Sequence, residues 1–258
     1  MTKEEILSRV DHTLLKQGST WQQIKVILDE AMEAHTASAC IPPYFVKKAK
    51  EYVGDRLPIC TVIGFPNGNM TTATKVYETK DAVTNGADEI DMVINIGMLK
   101  EADYDGLLNE INEIKAACDG KLLKVIIETC LLTDDEKIEM CKIVTKSDAD
   151  FIKTSTGFST GGATPEDVAL MRKTVGPDIG VKASGGIRDA ATAKAMVEAG
   201  ASRLGTSATV ANETCGSIIS MLKSAFPTGS NVSLGRMFLS LETIPMNFSF
   251  AVCLRYNA

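Results

Sequence analysis

Along residues 3–207 of this 258-residue chain, short apolar runs and stretches of helical periodicity alternate without interruption through eight units. Strand-like runs fall at 10–15, 37–41, 59–63, 89–94, 122–128, around Lys153, around Lys182, and at 202–207. Helical patterns precede or separate them at 3–8, from Ser19 and Thr20 onward, and at 44–52, 71–84, 104–118, 134–146, 165–174 and 190–199. Strands separated by helices pair in parallel through right-handed crossovers, and eight such units close naturally on themselves. The expected fold is α/β, a single (β/α)8 TIM barrel with a short N-terminal helix; a doubly wound open sheet is the alternative. The barrel is expected over residues 1–225. Phe226-Pro227-Thr228-Gly229-Ser230-Asn231 then breaks the pattern, and residues 226–258 form a tail with no assignable period.

Composition narrows the function classes. A net charge of -6 and a pI near 5.1 leave no general positive face for nucleic acid or an anionic membrane, so neither is an expected partner and an anionic ligand needs a local site. The seven cysteines are odd in number and lack C-x-x-C spacing, which argues against a disulfide framework or a zinc site and for a reducing compartment. The N-terminus carries charges where a signal peptide has its apolar core, and no run nears the roughly 20 apolar residues of a membrane span. A cytoplasmic location is expected.

Two lysines stand out. Asp150-Phe151-Ile152-Lys153-Thr154-Ser155-Thr156-Gly157 and Val181-Lys182-Ala183-Ser184-Gly185-Gly186 each end a buried-strand pattern in one lysine, followed by small or hydroxyl residues. Lost hydration and a second ammonium nearby both disfavour the charged form, so both amines are expected to be pushed toward neutrality. A neutral amine condenses with an aldehyde or ketone to an imine, an electron sink for breaking an adjacent carbon bond. The plain reading of either lysine alone is a solvated strand end or half of an ion pair. Asp91, inside Ile90-Asp91-Met92-Val93, would reach the same barrel mouth, and a buried carboxylate needs a cationic partner that a lysine pair supplies.

Ser184-Gly185-Gly186-Ile187 after the seventh strand and Gly205-Thr206-Ser207 at the eighth occupy the barrel positions where backbone amides bind phosphate. His12 reads as a structural hydrogen bonder, and Cys40 as either a small buried residue or a thiol lining a site.

Together these segments, with Glu89-Ile90-Asp91-Met92-Val93 and Leu123-Lys124-Val125-Ile126-Ile127-Glu128-Thr129, resemble the deoxyribose-phosphate aldolase family, class I barrel aldolases, in the family's order. The resemblance spans about residues 11–222. It implies reversible cleavage of 2-deoxy-D-ribose 5-phosphate to acetaldehyde and D-glyceraldehyde 3-phosphate, in deoxyribonucleoside and deoxyribose phosphate catabolism. It makes Lys153 the Schiff-base lysine, Lys182 a proton donor and acceptor beside it, and Asp91 a carboxylate acting through water. Asp11 and Cys40 match positions near the substrate; Thr156, Gly157, Gly185, Gly186 and Ser207 match those that hold it by its phosphate. No metal and no cofactor is expected, and a homo-oligomer, dimer or tetramer, is. Phe158 stands where some members carry a lysine, so phosphate binding would lean on backbone amides. The family's functional C-terminal tyrosine is not assigned to Tyr256, whose surroundings differ.

Three competing readings are distinguishable. A transaldolase or another sugar-phosphate aldolase would share the imine. An isomerase or epimerase barrel would leave Lys153 without a nucleophilic role. A non-catalytic sugar-phosphate binder predicts loss of Asp91, Lys153 or Lys182, and all three are present.

Overall fold

A computed structural model describes residues 1–207. The expected boundary at residue 225, the tail 226–258 and Tyr256 lie outside the described residues. After helix α1 (Lys3–Leu7), the chain runs β1 (Val10–Thr13), α2 (Trp21–Glu33), β2 (Ser38–Ile41), α3 (Val46–Val53), β3 (Ile59–Ile63), α4 (Thr72–Thr84) and β4 (Glu89–Val93). It continues through α5 (Ile96–Lys100), α6 (Tyr104–Ala117), β5 (Leu122–Ile126), α7 (Asp134–Lys146), β6 (Phe151–Lys153), α8 (Pro165–Val175), β7 (Gly180–Ser184), α9 (Ala190–Glu198) and β8 (Arg203–Ser207). The eight strands form one closed parallel barrel in chain order, β8 returning to β1 with Val10 opposite Leu204. The expected barrel with its N-terminal helix is the observed fold, and an open sheet is excluded.

Strand side chains alternate between two environments, as the pleat requires. Ile90 and Met92, Leu123 and Val125, Ile152, Val181, Ala183 and Leu204 face outward and pack with the helices into one continuous apolar core. Burying each of the larger aliphatic side chains contributes about 1.5–3 kcal/mol, so the layer between strands and helices carries most of the stability. The inward positions are different. They hold Asp11, Cys40, Cys60, Glu89, Asp91, Lys124, Lys153, Lys182 and Arg203, with Cys40, Cys60 and Val62 forming a small apolar cluster among them. The site is therefore the barrel's own interior.

Helix starts follow local chemistry. Thr133 caps α7 with a reciprocal Glu136 contact, and Thr71, Asp103, Thr164 and Asp189 each accept a first-turn amide. Two expectations shift. Helix α5 was not anticipated; it is nucleated by Asn95, whose side chain accepts from the Gly97 and Met98 amides. Strand β5 stops at Ile126 and not at 128, because Glu128 turns into the left-handed region at φ 54 and opens a short 3-10 turn. His12 faces outward, its Nε2 2.8 Å from Glu30 Oε2, in keeping with a structural role. Among the described residues no helix is long and apolar enough to cross a membrane.

Candidate active site

Because the strands are parallel, their C-terminal ends open on one mouth, and the inward side chains below it meet. The hub is Asp91, fully buried on β4. Its Oδ2 accepts from Lys153 Nζ at 2.7 Å and from Lys182 Nζ at 2.6 Å; its Oδ1 accepts from Lys124 Nζ at 2.9 Å and Cys60 Sγ at 3.2 Å. Lys153 and Lys182 are register partners on β6 and β7, so their stems enter side by side. Asp91 and Lys124 are partners in the same way on β4 and β5.

A second tier lies beneath. Asp11 on β1 pairs with Lys182, accepts from Ser38 Oγ at 2.8 Å and from Arg203 at 2.6 Å. Lys124 also reaches Glu89 at 2.6 Å and lies 3.6 Å from Asp11, while Arg203 is 3.2 Å from Glu89. Four cations thus share three carboxylates. Lys124 contacts all three, Lys182 and Arg203 two each, and Lys153 only Asp91. Gly205 makes room for this arrangement: a Cβ there would collide with Ser184 Oγ and come within 3.2 Å of Lys182 Cε.

The electrostatics follow. Burial opposes ionisation of Asp91, but Lys124, Lys153 and Lys182 overcome it and hold the carboxyl well below its ordinary range. Asp11 is depressed likewise, burial being outweighed by Lys182, Lys124 and Arg203. Lys182 corrects the sequence expectation. Burial does push its amine toward neutrality, yet Asp11 and Asp91 raise it above the ordinary lysine value. Lys124 is raised for the same reason, chiefly by Asp91 against burial. Pairwise reading of two lysines missed the carboxylates that surround one of them.

Cys40 and Cys60 are register partners on β2 and β3. A hydrogen bond from Cys60 lowers the Cys40 thiol, whereas burial raises that of Cys60 well above the ordinary value. Cys40, Cys60 and Asp91, and likewise Asp11, Cys60 and Glu89, bring possible metal-ligating atoms within 4.8 Å of one another. Lysine ammoniums already occupy these carboxylates, which disfavours a further cation there.

Above the hub opens a cavity of about 240 Å³ bordered by Lys153, Thr156, Gly157, Phe158, Gly185 and Gly205. A neighbouring cavity of about 330 Å³ includes Gly157, Gly185, Gly186, Arg188 and Gly205, so Gly157 after β6, Gly185 after β7 and Gly205 within β8 border both. Gly162 allows this closeness, since a Cβ at that position would strike the Gly185 backbone. The structure therefore gathers Lys153, Lys182, Asp91, Asp11 and Cys40 in the barrel interior, and Thr156, Gly157, Gly185 and Gly186 at its mouth. Ser207 ends β8 opposite Thr13; its side chain lies outside the described part.

Sequence reasoning missed Lys124, Glu89, Arg203 and Glu128. The first three were within reach, because each lies two residues, or a register step, from an inward position. Glu128 was not. Its buried carboxylate accepts from the Thr156 amide at 3.3 Å and from Thr156 Oγ1, which in turn accepts from the Phe158 amide at 3.0 Å. That relay fixes the backbone that borders the cavity.

A family model described as DeoC/LacD family aldolase matches residues 6–221. A deoxyribose-phosphate aldolase of Clostridioides difficile (strain 630) is 58% identical over 204 residues, covering 79% of this chain and 93% of the relative. One of Streptococcus pyogenes serotype M28 (strain MGAS6180) is 60% identical over 207 residues, covering 80% and 93%. Among solved structures, a tetrameric deoxyribose phosphate aldolase from Aeropyrum pernix superposes with a TM-score of 0.76 at 30% identity, over 87% of this chain and 92% of that one.

Proposed function

The chain belongs to the DeoC/LacD family of aldolases, and from that premise we propose that it cleaves 2-deoxy-D-ribose 5-phosphate reversibly to D-glyceraldehyde 3-phosphate and acetaldehyde through a Schiff base on Lys153. The observation that carries this reading is the single Asp91 oxygen shared by Lys153 and Lys182. Four cations face three carboxylates, and Lys153 has the fewest carboxylate contacts of the four. Loss of one proton from Lys153 leaves three charges of each sign and a nucleophile on the cavity wall.

The neutral amine attacks C1 of the open-chain sugar; the carbonyl electron pair moves to oxygen, which takes a proton. The carbinolamine then expels water and becomes a protonated imine. This returns the positive charge to Nζ beside Asp91. The C3 hydroxyl gives up its proton, its O–H pair becomes the new carbonyl, and the C2–C3 bonding pair flows toward the imine nitrogen as an enamine. Asp91, acting through solvent water, accepts that proton, the Lys182 ammonium beside it gives one to C2, and the proton held on Asp91 then returns Lys182 to its charged form. Water then hydrolyses the imine, releasing acetaldehyde and regenerating Lys153. No step calls for a metal or a cofactor.

Asp11 and Cys40 lie near the substrate, beneath the cavity floor and fully buried, and Thr156, Gly157, Gly185, Gly186 and Ser207 belong to the phosphate end. The same reading places the enzyme in the cytoplasm, in deoxyribonucleoside and deoxyribose phosphate catabolism, as a homo-oligomer; the Aeropyrum pernix tetramer supports assembly. Incubation with 2-deoxyribose 5-phosphate should release the two aldehydes in equal amounts. Absence of cleavage by folded protein would overturn the assignment.

A further inference from the structure

The cavity over Lys153 contains a second lysine that the reaction has not used. Lys16, in the loop after β1, borders it together with Lys153, Gly157 and Gly185. The remaining wall, including Leu14, Leu15 and Phe158, carries no charge. Lys16 is exposed, and among the described residues no carboxylate lies within ion-pair distance of its ammonium. Its backbone is fixed: the Lys16 carbonyl accepts from the Ser19 amide at 3.0 Å and from Ser19 Oγ at 2.7 Å. One wall thus holds two lysines with opposite circumstances. Lys153 is buried and tied to Asp91, while Lys16 stands at the mouth with no counter-charge.

We propose that Lys16 supplies the positive charge that holds the substrate's phosphate group, on the sugar-phosphate reading of this site. A phosphate dianion approaching a chain of net charge -6 needs a local cation, and glycine amides contribute only partial charges. Every other cation of the ring below is already engaged by Asp11, Glu89 or Asp91. Arg188 borders only the neighbouring cavity, which does not include Lys153. Lys16 therefore shares a chamber with the reacting amine, and among the described residues no carboxylate borders that chamber. It reads the charged end of the substrate while Lys153 reacts with the aldehyde.

The test uses the full-length protein with Lys16→Ala, Lys16→Arg and Arg188→Ala. Titration with inorganic phosphate should show binding that weakens about ten- to a hundred-fold in Lys16→Ala and is largely retained in Lys16→Arg. In turnover, KM for 2-deoxyribose 5-phosphate should rise by a similar factor, with kcat/KM for unphosphorylated 2-deoxyribose unchanged. Wild-type protein that does not bind phosphate, a Lys16→Ala variant that binds it as well as wild type, or a loss confined to Arg188→Ala would overturn the proposal. So would an equal loss on both sugars. If phosphate binding depends on Lys16 but no sugar is cleaved, the aldolase reading fails and the assignment of Lys16 stands.

Discussion

Lys153 and Lys182, register partners on adjacent strands, donate to the same oxygen of Asp91 at 2.7 and 2.6 Å. The pair is asymmetric: Lys182 also holds Asp11, and Lys153 borders the cavity. On the proposed mechanism the nucleophile is the lysine with fewer carboxylate contacts, and the proton work falls to the one with more.

Replacing Lys182 with Met should therefore leave Lys153 able to form an adduct but lower kcat by about 10²–10⁴-fold, the range for loss of a positioned acid or base. Single-turnover kinetics separate this from a binding defect, which would raise KM alone.

Lys124 is fully buried between Asp91 and Glu89, so Lys124→Met strands carboxylates in the interior. Stability should fall by about 3–5 kcal/mol, the cost of breaking a buried ion pair from one side. Adding Glu89→Gln should recover part of it. Denaturant unfolding of the single and double variants reads this directly, and a double variant no more stable than the single would contradict it.

Glu128→Ala removes the acceptor for the Thr156 amide and hydroxyl, so the 156–158 backbone that borders the cavity loses its anchor. KM should rise with Lys153 still trappable, and Glu128→Gln, which keeps one acceptor oxygen, should fall between wild type and Ala. A fall in kcat with unchanged KM would refute a positioning role.

The pH dependence has a definite sign. Asp11 and Asp91 are depressed in the folded protein, so their stabilisation is fully present above the unfolded value of about 3.9 and is lost as pH falls through the lower folded values. Lys124 and Lys182 are raised, so theirs is present below about 10.4 and lost only as pH climbs through the higher folded values. For these four groups, stability should stay flat across neutral pH and fall on both flanks. Asp11→Asn should flatten the acid flank, which unfolding free energies measured from pH 2 to 7 will reveal.

Burial pushes the Cys118 and Cys141 thiols up to about 12, while Cys130 is exposed. Alkylation of native protein near pH 8 should label Cys130 before either; early labelling of Cys118 or Cys141 would indicate a looser helix layer than the one described.

Much of this was legible in the chain. Lys153, Lys182 and Asp91 announced themselves as charges inside apolar strand patterns, and period-2 alternation does place them on one side of the sheet. Lys124 sits in the same kind of pattern, but its near-continuous apolar run hides which face of the strand each residue takes. The raised Lys182 was not legible, because it depends on Asp11, which lies 171 positions away in sequence and enters through barrel closure. Glu128 was hidden for a backbone reason: its left-handed turn and its bond to Thr156 are tertiary choices that no local propensity encodes.

The central claim is the imine on Lys153. The protein should be incubated with 2-deoxyribose 5-phosphate and borohydride, digested and mapped, with Lys153→Ala run in parallel. A substrate-dependent mass addition on Lys153, absent from the variant, is the expected result. Folded protein that binds the sugar phosphate yet leaves Lys153 unmodified would contradict it.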